Sequence, residues 1–119
     1  MAKREVVFPV GRQALYERNR YSPAIRSNGF LFVSGQVGSR PDGSPEPELE
    51  AQVRLAFDNL NAILSAAGCT FDDVIDVTVF IVDPEANFDT IWKLDFGHSR
   101  IGLLCFQWLS GLSLVQLSI

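Results

Sequence analysis

Apolar residues along the chain follow two different spacings, which predict a domain built from both strands and helices. Short runs rich in aromatic and branched residues are typical of strands, and they occur at 4–8, 30–36 and 74–82. Between residues 48 and 67 the apolar positions recur every three or four residues, as one buried face of a helix demands. A shorter apolar stripe at 88–92 predicts a second helix beginning at Pro84. The polar stretch 13–20 fits either an irregular connection or a helical turn.

The stretch 21–38 carries a turn signal followed by a strand with a polar end. The asparagine-glycine pair at 28–29 predicts a β-hairpin, because these residues tolerate the positive φ angles of a tight turn. The strand after the turn ends in Ser34, Gly35 and Gln36, which puts a hydroxyl and an amide at the edge of the core. Glycine there lets a backbone or a ligand approach closely. The serine and the glutamine either contact a ligand or only satisfy backbone groups, and the pattern leaves both open.

Residues 101–119 contain no charged side chain, which raises the question of a membrane anchor. The small pair at 110–111 splits the run, other polar residues interrupt it, and no basic flank follows. Apolar and polar residues alternate with period two after this pair, so two strands joined by a turn explain the segment better. We therefore expect no membrane association.

Composition is that of an ordinary globular protein. With 119 residues and 47% hydrophobic content, the chain is predicted to form one domain, 1–119. The net charge of −4 argues against a nucleic-acid partner. The charge is uneven, with +4 in residues 1–26 and −8 in the remainder. The N-terminal arginines either line a pocket for anions or form a solvated face.

Cysteine and histidine usage indicates a reduced compartment and no metal site. Cys69 and Cys105 do not have the spacing of metal ligands, and His98 is the single histidine. Two unpaired thiols are typical of a cytoplasmic protein. The first residues also lack the pattern of a signal peptide, so we expect a cytoplasmic location.

Several motifs resemble the RidA (YjgF) family of small enamine and imine deaminases. They are Tyr-Ser-Pro-Ala-Ile at 21–25, Leu-Phe-Val-Ser-Gly-Gln at 31–36, Val-Arg-Leu-Ala-Phe-Asp-Asn-Leu at 53–60, Ala-Ala-Gly-Cys at 66–69 and Asp-Val-Ile-Asp-Val-Thr-Val-Phe at 73–80. The Phe-Pro-x-Gly-Arg opening at 8–12 is similar to the YjgH-like branch. Together these motifs extend the resemblance over residues 4–93.

The resemblance implies an α+β fold of the RidA-like, chorismate mutase-like type. Its sheet would be mixed and six-stranded, with two helices on one face, in the order βββαβαββ. Family members form homotrimers with ligand clefts between subunits. The apolar segments 74–82 and 101–119 agree with this, because they offer more surface for burial than two helices can cover.

The resemblance also implies a reaction and a set of site residues. Water would hydrolyse an imine or enamine to a keto acid and ammonia, without a cofactor or metal. Family sites combine a tyrosine, a serine, an arginine for the substrate carboxylate and a glutamate that positions water. Tyr21 and Ser34 match the first two and are the expected catalytic residues, and both would also contact the ligand. Further expected ligand contacts are Gly35, Gln36 and Trp108. The arginine should lie in 103–111 and the glutamate in the last strand, but neither segment contains one.

The likeness weakens sharply after Leu94, through either natural divergence or a shifted reading frame. We therefore expect a protein that binds a small carboxylate or a related metabolite, with weak or absent deaminase activity. One alternative is a competent deaminase in which Arg26 or Arg100 binds the carboxylate. Another is a non-enzymatic module of the chaperone-like or translation-inhibitor type. The endoribonuclease role attached to some relatives is disfavoured by the acidic charge and the single histidine.

Overall fold

The computed structural model describes residues 3–80, 83–95 and 114–118. The elements in chain order are β1 (Glu5–Val7), α1 (Gln13–Arg18), β2 (Ala24–Ser27), β3 (Phe30–Gln36), α2 (Leu49–Ala66), β4 (Asp76–Phe80), α3 (Pro84–Asp95) and β5 (Leu114–Ser118). The strands form one sheet in the order β1-β2-β3-β5-β4, and each pairing within it is antiparallel. Within these ranges, no helix has the length and apolar content that crossing a membrane requires.

The α+β class and most elements predicted from the sequence are confirmed. The strand at 30–36 has the predicted bounds, α3 begins at Pro84, and α2 differs from the predicted 48–67 by one residue at each end. The ambiguous stretch 13–20 forms the short helix α1. Five strands lie in the described ranges. The sixth strand, the parallel pairing of a mixed sheet and the turn at 110–111 lie outside the described residues and stay predictions.

The strand predicted at 74–82 starts later than its apolar pattern indicated. A single 3-10 turn at Phe71–Asp73 precedes β4. Thr70 caps this turn, because its hydroxyl accepts a hydrogen bond from Asp72 N at 3.2 Å and its own N donates to Asp73 Oδ2 at 2.8 Å. These capping bonds favour the turn over extended backbone.

The sheet buries one face beneath the helices. Val7, Ala24, Val33 and Val77 are buried, and the first three are neighbours in register across β1, β2 and β3. The helix α2 contributes the side chains that are most completely buried, which are Leu60, Ile63 and Leu64. Together with Ile91 of α3, these residues form one core.

The opposite face of the sheet, called the open face below, presents apolar side chains to solvent. Val6, Ile25 and Phe32 are neighbours in register on β1, β2 and β3. Phe32 is 52% exposed, and its ring centroid lies 6.3 Å from that of Phe30, which is 50% exposed. A contiguous apolar surface of this kind is typical of an interface.

The hairpin that joins β2 to β3 has the predicted two-residue turn. Ser27 pairs with Phe30, so only the asparagine and the glycine lie between the strands. Asn28 has a φ angle of 53° and Gly29 one of 79°. Positive φ at both positions is the requirement of a type I′ turn, whose twist matches the flanking strands. The turn fixes the register that brings Ser34 beside the start of β2.

Candidate functional site

A bulge in β3 determines the geometry of the polar strand end at 34–36. Val33 pairs with Leu117 and Gln36 pairs with Val115, so β3 has one residue more than β5 between these pairs. An extra residue bends the strand and changes the face that the next side chains occupy. Val33 and Gln36 are both buried although regular alternation would put them on opposite faces. The bulge therefore turns the glutamine amide into the interior.

Tyr16 and Gln36 form a buried polar pair below this strand end. Tyr16, from α1, donates from its hydroxyl to Gln36 Oε1 at 3.2 Å. Gln36 Nε2 donates to the Ser34 carbonyl at 3.2 Å. Because buried polar groups need partners, these bonds fix the amide and, through it, the backbone of Ser34. Gln36 thus supports the site from below, and its direct contact with a ligand stays a prediction.

Ser34 forms two hydrogen bonds with the segment that follows Tyr21. Its Oγ donates to the Ser22 carbonyl at 2.5 Å, and its backbone N donates to the Pro23 carbonyl at 2.9 Å. The side chain is half-buried. A hydroxyl that donates in one direction keeps its lone pairs, so the Ser34 oxygen can still accept a hydrogen bond from a ligand.

Tyr21 lies beside Tyr16 at the end of α1. Its backbone N donates to the Tyr16 carbonyl at 3.2 Å, and the two ring centroids lie 4.9 Å apart in an edge-to-face arrangement. Burial raises the pKa of Tyr21, nearby Tyr16 raises it further, and Arg12 lowers it. The phenol therefore stays protonated at neutral pH and offers a hydrogen-bond donor. Tyr21 is 44% exposed, so a ligand can reach it.

Arg12 was not singled out as a site residue from the sequence, and the structure places it at the start of α1, one turn before Tyr16, whose ring packs against Tyr21. It ends a tight turn in which its N donates to the Pro9 carbonyl at 3.3 Å, and Gly11 supplies the positive φ of 77°. Its Nη2 lies 3.5 Å from the Ser39 carbonyl. The sequence signals for Arg12 were its place in the opening motif at 8–12 and its membership of the N-terminal arginines that could line a pocket for anions.

Arg26, one of the two arginines proposed as substitutes for the family arginine, does not lie at this site. Arg26 lies near the turn end of the β2–β3 hairpin, whereas Ser34 lies at the other end. Its Nη2 donates to the Ala67 carbonyl beyond α2. It also lines a cavity of about 320 Å³ with Lys3, Arg4, Glu5 and the hairpin turn. Arg100 and Trp108 lie outside the described residues.

Within the described residues, the candidate site therefore comprises Tyr21, Ser34 and Arg12, with Tyr16 and Gln36 packed behind them. Gly35, the remaining ligand-contact candidate, is half-buried within the bulge. In the described part of the chain, no three carboxylate, thiol or imidazole groups converge as a metal site requires. The arrangement offers one cation, one phenol donor and one hydroxyl, which together suit a small polar ligand.

Comparison with known proteins identifies the family. The profile described as Endoribonuclease L-PSP matches residues 11–100. The Escherichia coli RutC family protein YjgH is 66% identical over 91 residues, which cover 76% of this chain and 70% of that protein. The mouse 2-iminobutanoate/2-iminopropanoate deaminase is 38% identical over 92 residues, or 73% of this chain and 67% of the enzyme.

Solved structures agree with the sequence relatives. The structure of protein YJGH superposes on this chain with a TM-score of 0.83 at 47% identity. The superposition covers 97% of this chain and 94% of the YJGH chain. The structure of E. coli TdcF with bound serine gives a TM-score of 0.70 at 25% identity, over 82% of this chain and 84% of TdcF. The chain belongs to the Endoribonuclease L-PSP family, which is the RidA (YjgF) family that the motifs indicated. Within it, the chain is similar to YjgH.

Proposed function

We propose that this protein binds a small carboxylate-bearing metabolite at Tyr21 and Ser34 and has weak or absent deaminase activity. One observation carries the proposal, which is that Tyr21 and Ser34 lie in the same small cluster of contacts. Ser34 donates to the carbonyl of Ser22, next to Tyr21, and the Tyr21 ring packs against Tyr16, which bonds to Gln36. Buried supports of this kind are what hold a binding site in a fixed geometry.

Two relatives support the ligand class. The mouse relative carries the name of a deaminase of 2-iminobutanoate and 2-iminopropanoate, both of which are small carboxylates. The TdcF structure contains serine, another small carboxylate. Membership of the same family supports a ligand of similar size and charge in this chain.

The proposal of weak activity rests on two missing groups. Segment 103–111, where the family arginine is expected, contains no arginine, and β5 (Leu114–Ser118) carries no acid for positioning water. Binding needs only some of the family's groups, whereas hydrolysis needs a water oriented by a base. The competent deaminase and the non-enzymatic module have no observation of their own in the described residues. A cytoplasmic location also stays a prediction.

A titration with pyruvate, the keto acid formed from 2-iminopropanoate, tests the binding. We expect Tyr21→Phe to weaken pyruvate binding about fivefold, because it removes one hydrogen bond worth ~1 kcal/mol. Pyruvate has no donor for the Ser34 oxygen, so the matching test of Ser34→Ala uses L-serine, whose ammonium group can donate to that oxygen, and the expected loss is again about fivefold. Ser65→Ala, an exposed serine on α2, is the matched control and should leave the affinity unchanged. Binding that neither site variant weakens, in proteins that melt like the wild type, would place the ligand elsewhere.

We further propose that the protein is a homotrimer that buries the open face. In light scattering, the wild type is expected at three times the chain mass. Phe32→Glu should reduce the mass, because a charge on the open face would have to be buried without a partner. Val10→Glu is the control, since Val10 is 96% exposed and lies outside the sheet. A wild type that stays monomeric at micromolar concentration would contradict this assembly.

A further inference from the structure

We propose that Arg12 binds the anionic group of the ligand at Tyr21 and Ser34, so that a residue of the N-terminal turn makes this site selective for carboxylates. The inference rests on the proposed function and names the residue that provides its selectivity. It differs from the pattern implied by the resemblance, in which the arginine comes from the C-terminal segment.

The guanidinium of Arg12 has donors available for a ligand. Its hydrogen bond to the Ser39 carbonyl is long, at 3.5 Å, and most of its five N–H groups have no partner within the described part of the chain. Within residues 3–80, 83–95 and 114–118, the ion pairs are Arg40–Glu46 and Arg54–Glu50, and neither includes Arg12. A half-buried cation without an anionic partner in the described chain is a favourable place for a carboxylate.

Arg12 is positioned by its backbone at the start of α1, and its side chain reaches the loop that follows β3. Its carbonyl accepts hydrogen bonds from Leu15 N at 3.1 Å and Tyr16 N at 3.3 Å, so its backbone is continuous with α1. On the other side the Ser39 carbonyl also accepts from Asn59 Nδ2 at 2.9 Å, and Asn59 is buried in α2. Since the contact with the Ser39 carbonyl is long, the guanidinium can turn toward an anion without losing a strong hydrogen bond.

The electrostatics of Tyr21 agree with this placement. Arg12 lowers the pKa of Tyr21, against the larger effect of burial, because a nearby positive charge favours the ionised phenol. The geometry agrees, because Arg12 lies one helical turn before Tyr16, whose ring packs against that of Tyr21 at 4.9 Å. Tyr21 and Ser34 are neutral, so Arg12 supplies the positive charge in this cluster. A planar carboxylate can accept two parallel bonds from a guanidinium while Tyr21 donates a third.

Affinities for pyruvate and for its neutral amide, pyruvamide, test the role of Arg12. Arg12→Gln is expected to weaken pyruvate binding about ten- to a hundredfold, as loss of a charge-assisted hydrogen bond implies, and to leave pyruvamide almost unchanged. Arg12→Lys should retain part of the preference, because it keeps the charge but not the planar fork. Arg18→Gln, on the same helical segment and exposed, makes the same charge change and should have no effect.

The outcomes separate this inference from the proposed function. If the wild type binds pyruvate and Arg12→Gln binds it equally well, the role of Arg12 is wrong and the proposed function stands. If Arg18→Gln weakens binding as much as Arg12→Gln, the effect is one of overall charge, and the role of Arg12 is again wrong. If the wild type binds neither pyruvate, 2-oxobutanoate nor L-serine, both the inference and the proposed function are wrong.

The ionisation of Tyr21 gives a readout that does not depend on a ligand. The chain has two tyrosines, so in a Tyr16→Phe background the ultraviolet absorbance of tyrosinate reports Tyr21 alone. Adding Arg12→Gln should raise the Tyr21 pKa, whereas adding Arg18→Gln should not. A pKa that Arg12→Gln leaves unchanged would overturn the placement of the guanidinium.

Discussion

Gly38→Ala is expected to lower the free energy of unfolding by about 3 kcal/mol or more, the upper part of the range for overpacking. The loop after β3 passes against the first turn of α2 at this glycine. A Cβ atom there would lie 2.6 Å from Gln52 Cγ and 2.7 Å from Gln52 C, and would overlap the Gln52 carbonyl oxygen. Because the contact is with backbone as well as side chain, the loop and the helix must move apart.

The same displacement would reach the functional site. The neighbouring Val37 and Ser39 carbonyls both accept hydrogen bonds from Asn59 Nδ2 at 2.9 Å, and Ser39 also contacts Arg12. Chemical denaturation therefore should show a large loss of stability, together with weaker pyruvate binding in the fraction that remains folded. With a loss of this size, the melting temperature should fall by roughly 10 °C.

Two further variants separate steric overlap from backbone conformation. Gly29→Ala is the matched control, because a Cβ at Gly29 meets no atom within 4 Å but its φ angle of 79° disfavours alanine. It should cost only about 1–2 kcal/mol. Adding Gln52→Ala to Gly38→Ala removes the Cγ contact but not the carbonyl contact, so it should recover only part of the stability. A Gly38→Ala protein as stable as Gly29→Ala would contradict the close approach.

Local signals in the sequence were sufficient to predict those elements whose conformation is determined by residues close together in the chain. Asn28-Gly29 specifies its turn through its own φ angles, and the apolar spacing at 48–67 specifies a helix long enough to cover the sheet. Tyr21 and Ser34 were identified through motifs of the family. The structure adds how they meet, through the hairpin register and the bond from Ser34 Oγ to Ser22.

The support of the site was not predictable because it depends on long-range contacts. The bulge in β3 results from pairing with β5, a strand about eighty residues later in the chain, and this pairing decides that Gln36 points into the core. Arg12 acquires its position from a turn at Pro9 and from the Ser39 carbonyl on another loop. No periodicity within 8–12 indicates either contact.

Hydrolysis of 2-iminopropanoate by this protein is expected to be at least ~100-fold slower than by the mouse relative. Arg12 supplies a charge for binding, but it comes from a different part of the fold than the family arginine. The strand β5, which pairs with both β3 and β4, has no acidic residue to orient water. A positioned acid or base typically contributes about 100- to 10,000-fold to a rate. A serine or tyrosine that is neutral at pH 7 does not replace it as a base.

A competition assay for the imine tests the central claim, which is that this site binds carboxylates without efficient deamination. An amino-acid oxidase generates 2-iminopropanoate from alanine, semicarbazide traps it, and each protein is added at the same concentration. We expect this protein to leave the yield of semicarbazone unchanged, whereas the mouse deaminase lowers it. A yield lowered as far as by the mouse enzyme, and restored by Tyr21→Phe or Arg12→Gln, would show that the site is a competent deaminase and contradict the account.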